Sequence, residues 1–101
     1  MTRIKLTLSC PGILAEQVTA ALLESDWVPD GFTTIDASGH GADFAKASLR
    51  ERVRGRIDTQ LVVAVLPAVN VAPLLGELGE RFRSSQMQYW TEPVLDFGDF
   101  A

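Results

Sequence analysis

The sequence predicts a single α+β domain with elements in the order β-α-β-β-α-β. Three observations predict it. Residues 3–10 alternate apolar and polar, the strand-like segment 57–66 is hydrophobic on both faces from Leu61 onward, and two helical stripes separate strand-like segments in the right places. The chain has 101 residues, 47% of them hydrophobic, enough to bury roughly two thirds of the unfolded surface around one core. That apolar fraction excludes disorder, and the lack of heptads excludes a coiled coil.

Along the first strand Ile4, Leu6, Leu8 and Cys10 share one face, with Arg3, Lys5, Thr7 and Ser9 on the other. Pro11-Gly12 breaks it. Leu14, Val18, Ala21 and Leu22 then recur at helical spacing, predicting a helix over residues 13–25. Pro29-Asp30-Gly31 is a turn signal, and residues 32–38, rich in Thr and Ile, form the second strand, ended by Gly39-His40-Gly41. Residues 42–56 have no strand character. Ala45, Leu49 and Val53 sit four apart, which gives a short helix or mobile loop too small to hold itself together without support.

The third strand, residues 57–66, sets Leu61, Val63 and Val65 on one face and Val62, Ala64 and Leu66 on the other, and Pro67 stops it. Asn70 is placed to cap the second helix, whose stripe is Val71, Leu74, Leu75, Leu78 and Phe82. Residues 86–91 form the fourth strand, carrying Tyr89 and Trp90. The tail, about residues 94–101, is acidic and aromatic, with Phe97 and Phe100, and reads as an arm or a short extra strand. This is a ferredoxin-like split sandwich. Its two helices can cover only one face of a four-stranded sheet, so the second apolar face of residues 57–66 predicts an oligomer.

The net charge is −4, so nucleic-acid binding is not expected. Lys46, Arg50, Arg52, Arg54 and Arg56 face only Asp43 and Glu51, so residues 42–56 carry +3 and the remainder −7. A basic segment on an acidic body suits an acidic partner surface, with Arg50, Arg52, Arg54 and Arg56 as the contact residues. No apolar stretch approaches the roughly 20 residues of a membrane span, and residues 1–8 lack a signal-peptide core. The expected location is the cytoplasm. The single cysteine, Cys10, excludes a disulfide scaffold. No Walker motif, HExxH, paired-carboxylate or Ser-His-Asp pattern occurs, so no enzymatic activity is expected. His40, the only histidine, is the candidate ligand for a divalent transition metal, alone in each subunit of an oligomer or together with Asp43.

The segment Gly31-Phe32-Thr33-Thr34-Ile35-Asp36-Ala37-Ser38-Gly39-His40-Gly41 resembles the second strand of PII-type signalling proteins, which opens on Gly-aliphatic-Thr and closes on Gly-aromatic-Gly before a long T-loop. With Tyr89-Trp90-Thr91-Glu92-Pro93-Val94-Leu95, the chain looks most like a PII-like branch found beside heavy-metal efflux pumps. The resemblance spans nearly the whole chain. It implies a homotrimer with sheets facing inward, a T-loop at residues 42–56, a ligand cleft at Thr33, Gly39, His40 and Gly41, and a membrane efflux or transport complex as partner. The sequence departs from the family at Arg83-Ser84-Ser85-Gln86, which lacks the glycines and lysine of the ATP-binding loop, and at Ala42-Asp43, where an Arg-Gln pair is usual. Arg81 and Arg83 are the cations left to meet a phosphate, and weak or absent ATP binding is expected. Two alternatives are a divalent-metal-handling protein of the CutA type on the same trimer, and a scaffold subunit with no ligand.

Overall fold

The computed structural model describes residues 2–41, 56–83 and 86–100. Strand β1 (Arg3–Pro11) runs through a 3-10 turn at Gly12–Leu14 into helix α1 (Ala15–Glu24). Strands β2 (Thr33–Gly39) and β3 (Ile57–Pro67) follow, then a second 3-10 turn (Ala68–Asn70), helix α2 (Val71–Arg81) and strand β4 (Gln88–Val94). The strands form one antiparallel sheet in the order β2-β3-β1-β4, the ferredoxin-like topology. The segment between β2 and β3, which the sequence reading gives to a T-loop, lies outside the described residues except at Arg56.

Alternation along β1 and β3 decides which side chains meet the helices. Leu6 stands opposite Ala64 and Leu8 opposite Val62. These residues, with Cys10 and Leu66, pack against Val18, Ala21 and Leu22 of α1 and Leu74 and Leu78 of α2. Each fully buried leucine or valine contributes roughly 1.5–3 kcal/mol by leaving water. The helix stripes therefore fall where the spacing predicts, with Val71, Leu75 and Phe82 half-buried at the margin of the core.

Two details differ from expectation. Asn70 stands at the N-cap position of α2, but its side chain makes no cap there; its Nδ2 donates to the Trp27 carbonyl at 3.2 Å, tying α2 to the turn after α1. β4 runs to Val94, past the expected end at Thr91, because it is an edge strand and tolerates Pro93. Ser25 joins the helices: its hydroxyl donates to Glu77 Oε2 at 2.8 Å and accepts the Trp27 N–H at 3.2 Å.

Among the described residues no helix packs on the far face of the sheet. The registers align Thr33, Val63, Thr7 and Trp90 across all four strands, and Ile35, Leu61, Ser9 and Gln88 in the neighbouring row. Leu61, Val63 and Val65 are half-buried, while Ile35 and Trp90 are exposed. Val62, Ala64 and Leu66 point the other way, into the core. No helix among the described residues is long and apolar enough to cross a membrane.

Candidate ligand-binding cleft

The pairing of Gly39 with Ile57, the last residue of β2 and the first of β3, brings the two ends of segment 40–56 together. β1 reaches the same end of the sheet, with Cys10 opposite Gln60 and Pro11 opposite Thr59, and β4 begins there, with Gln88 opposite Ser9. Between them lies an open cleft of about 380 Å³. Hydroxyls of Ser9 and Thr59, carboxamides of Gln86 and Gln88, and the imidazole of His40 supply its polar groups, with Ile57, Met87 and Pro11 as apolar walls.

Glycine is required at two points of the rim. At Gly39 an added Cβ would stand 2.9 Å from Thr59 Oγ1, closer than real side chains approach. Gly41 adopts φ +74°, a left-handed conformation that turns the chain off the strand. Thr59 Oγ1 donates to the Ile57 carbonyl at 3.1 Å, so any displacement by a new side chain breaks that bond. Gly39→Ala is expected to destabilise the fold by about 1 kcal/mol and to narrow the cleft, which thermal unfolding and ligand titration on the one variant would measure.

Cys10 lines the cleft floor but offers little chemistry. Its thiol donates to the Gln60 carbonyl at 3.4 Å, and burial pushes its pKa up, so it is neither a ready nucleophile nor a ready metal ligand. His40 is exposed at the cleft mouth. Among the described residues no three His, Cys, Asp or Glu side chains come together as a metal site, and Asp43 lies outside them. Among the described residues His40 is thus the one candidate donor at the cleft mouth, without a second ligand beside it.

Of the residues the sequence assigns to the cleft, the structure brings Gly39 and His40 into it, with Gly41 following directly. Thr33 is at the opposite end of β2, six residues and roughly 20 Å away, beside a hollow lined by Val63, Val65 and Phe97. One subunit therefore splits the predicted site. Arg81 turns toward Glu24, at 3.8 Å on the outer flank of the helices, while Arg83 is exposed beyond the end of α2. Arg56 is exposed next to the cleft, and Arg50, Arg52 and Arg54 lie outside the described residues. Ser9, Thr59 and Gln88 had no motif to announce them; only the cross-strand register assembles them, whereas Gln86 ends the segment 83–86 that stands at the position of the family's ATP-binding loop.

The family model described as "Protein of unknown function (DUF3240)" matches residues 1–101. The chain belongs to the DUF3240 family. A DUF3240 family protein from Shewanella baltica has a crystal structure similar to this one, with a TM-score of 0.80 at 19% identity, covering 100% of this chain and 99% of that one. The DUF3240 chain is also similar to CPII, a nitrogen regulatory PII-like protein from Thiomonas intermedia in complex with ADP, AMP and bicarbonate. There the TM-score is 0.72 at 19% identity, over 99% of this chain and 98% of that one. A PII-like signalling protein from Thermus thermophilus gives 0.65 at 15% identity, over 93% and 88%. No curated protein matches by sequence. At these identities the likeness establishes the fold, and the DUF3240 fold is PII-like.

Proposed function

We propose that this chain is a non-catalytic, cytoplasmic regulatory protein of the PII type, a homotrimer that binds a small polar ligand in the cleft and signals its state to a partner through the adjoining basic segment. One observation carries this reading: the cleft lies where segment 40–56 leaves β2 and re-enters β3, held together by the Gly39–Ile57 pair. A ligand there touches both roots of the segment that carries the +3 charge, so binding and presentation of that segment are mechanically joined. The open apolar sheet face supports assembly, because Leu61, Val63, Val65 and Trp90 need a second protein surface to leave water. In the PII type that the sequence resembles the cleft lies between subunits, and on that resemblance one subunit's Thr33 would complete another's cleft. The partner that fits the family resemblance is a membrane efflux or transport complex.

The ligand class that suits these walls is a nucleoside mono- or diphosphate. The carboxamides and hydroxyls can pair with the edge of a base, and the walls are apolar. CPII, of the same fold, is bound to ADP, AMP and bicarbonate. The cleft's described lining holds no lysine or arginine, so ATP, with its larger charge, should bind more weakly. Calorimetry with AMP, ADP, ATP, bicarbonate and zinc chloride tests the choice. AMP or ADP binding at micromolar levels, weakened at least several-fold in Gly39→Ala, is the expected result. Zinc heat that disappears in His40→Ala, with no nucleotide heat, would instead establish the metal-handling reading, three His40 side chains then meeting between subunits. Silence with every ligand to millimolar concentration would leave a scaffold.

A further inference from the structure

Beyond β4 the chain continues as an extended arm, residues 95–100, pinned at its middle. Arg3 does the pinning: its Nη1 pairs with Asp30 Oδ2 at 2.8 Å, and its guanidinium lies 4.7 Å from the centroid of the Phe97 ring. Phe97 thereby rests beside Val63 and Val65 on the open face of the sheet. On either side of it Leu95 and Phe100 are fully exposed. An ordered arm whose two other apolar side chains stand entirely in water is poised to cover something.

On the opposite face, between α2 and β4, lies an apolar groove of about 170 Å³ that no described residue fills. Leu8, Leu75, Leu78, Phe82, Met87 and Tyr89 line it. It exists because the helices cover β1 and β3 and leave Tyr89 of the edge strand uncovered. A space of roughly 150 Å³ admits a benzene ring, so one phenylalanine side chain fits. Arg83, exposed one residue beyond Phe82, puts a positive charge near one end of the groove, and the arm carries Asp96 and Asp99. The flanking Glu77 and Glu80 lie on the outer side of α2 with Glu24 and Arg81.

The arm cannot reach its own groove. Only three residues separate Phe97 from Phe100, about 10 Å at full extension, and the groove opens on the other side of the sheet. Its Gln88–Tyr89 end is also the far end of β4 from Val94, roughly 20 Å along the strand. Among the described residues the segment that matches the groove is this apolar arm with its two carboxylates, supplied by a second copy of the chain.

We propose that residues 95–100 of one copy bind a second copy of this chain, Phe100 entering the groove between α2 and β4 and Asp99 meeting Arg83. The arm is then a clasp between subunits; the proposal rests on the trimer reading above and adds a specific contact to it.

The test has three arms on the full chain. Phe100→Ser should raise the subunit dissociation constant about tenfold or more, by loss of one buried ring, with the circular dichroism spectrum unchanged. Asp99→Arg should weaken assembly, and the added change Arg83→Asp should restore it. Oxidation of a Phe100→Cys, Gly79→Cys double variant should give covalent oligomers on a non-reducing gel that neither single variant gives. A monomeric wild-type protein in light scattering would overturn both the trimer and the clasp. A trimeric wild type with full assembly in Phe100→Ser, no charge-swap rescue and no cross-link would overturn the clasp alone. Cross-linking of Phe100→Cys to Ile35→Cys instead would place the arm on the sheet face and equally overturn it.

Discussion

Val63→Asp is expected to yield a folded monomer of 11.0 kDa, whereas Val62→Asp should not fold at all. The two valines are neighbours in β3 and point to opposite sides. Val62 is 1% exposed, under both helices and opposite Leu8. A carboxylate there would be buried without a partner, which costs several kcal/mol, comparable with the ~5–15 kcal/mol stability of a whole domain. Val63 lies on the uncovered face, in the row with Thr33, Thr7 and Trp90, where in a lone subunit water can still solvate a charge. In the proposed trimer the same carboxylate would be trapped between subunits. Light scattering and circular dichroism on both variants check this; a trimeric Val63→Asp would remove the sheet face from the interface and with it the main support for assembly.

The second large effect concerns the basic segment. Replacing Arg50, Arg52, Arg54 and Arg56 with Gln takes four charges from a segment of +3 and should abolish capture of the partner from a membrane or cytosolic extract. Trimer assembly and thermal stability should stay within about 1 kcal/mol of the unmodified protein, the behaviour of charges that serve a partner and not the fold. Added salt should weaken capture by the unmodified protein in the same way, since contacts steered by charge are screened. If the variant loses its trimer and still captures the partner, these arginines belong to the subunit interface and the signalling reading fails.

The fold was legible where burial writes itself into spacing. Ile4, Leu6, Leu8 and Cys10 alternate because only one face of β1 meets the helices, and residues 61–66 are apolar throughout because both faces of β3 seek cover. Gly31 and Gly41 were legible as turns and take φ +79° and +74°. The extent of β4 was hidden, because Pro93 reads as a strand breaker until its place at the sheet edge is known. The Asn70 contact was hidden too: a cap is local, but the Trp27 carbonyl that it meets lies 43 residues away. Half of the candidate site announced itself through Gly39-His40-Gly41. The other half, Ser9, Thr59 and Gln88, depends on how three strands are registered against one another, which no local pattern encodes.

The central position of β1 also governs how the chain must fold. β1 pairs with β3 and β4, so Arg3 faces both Pro67 and Val94, contacts about sixty and ninety residues apart in sequence. Closing loops of that length before any reward arrives puts folding in the slower, millisecond-to-second range of small domains. During synthesis β1 emerges first and stays unpaired until β3 is made, with Leu6 and Leu8 exposed on an open strand. A chain interrupted before β4 would keep one edge of β1 bare, a template for pairing with other nascent chains. Shortened versions of this protein should therefore aggregate where the intact chain does not, with the threshold at completion of β4.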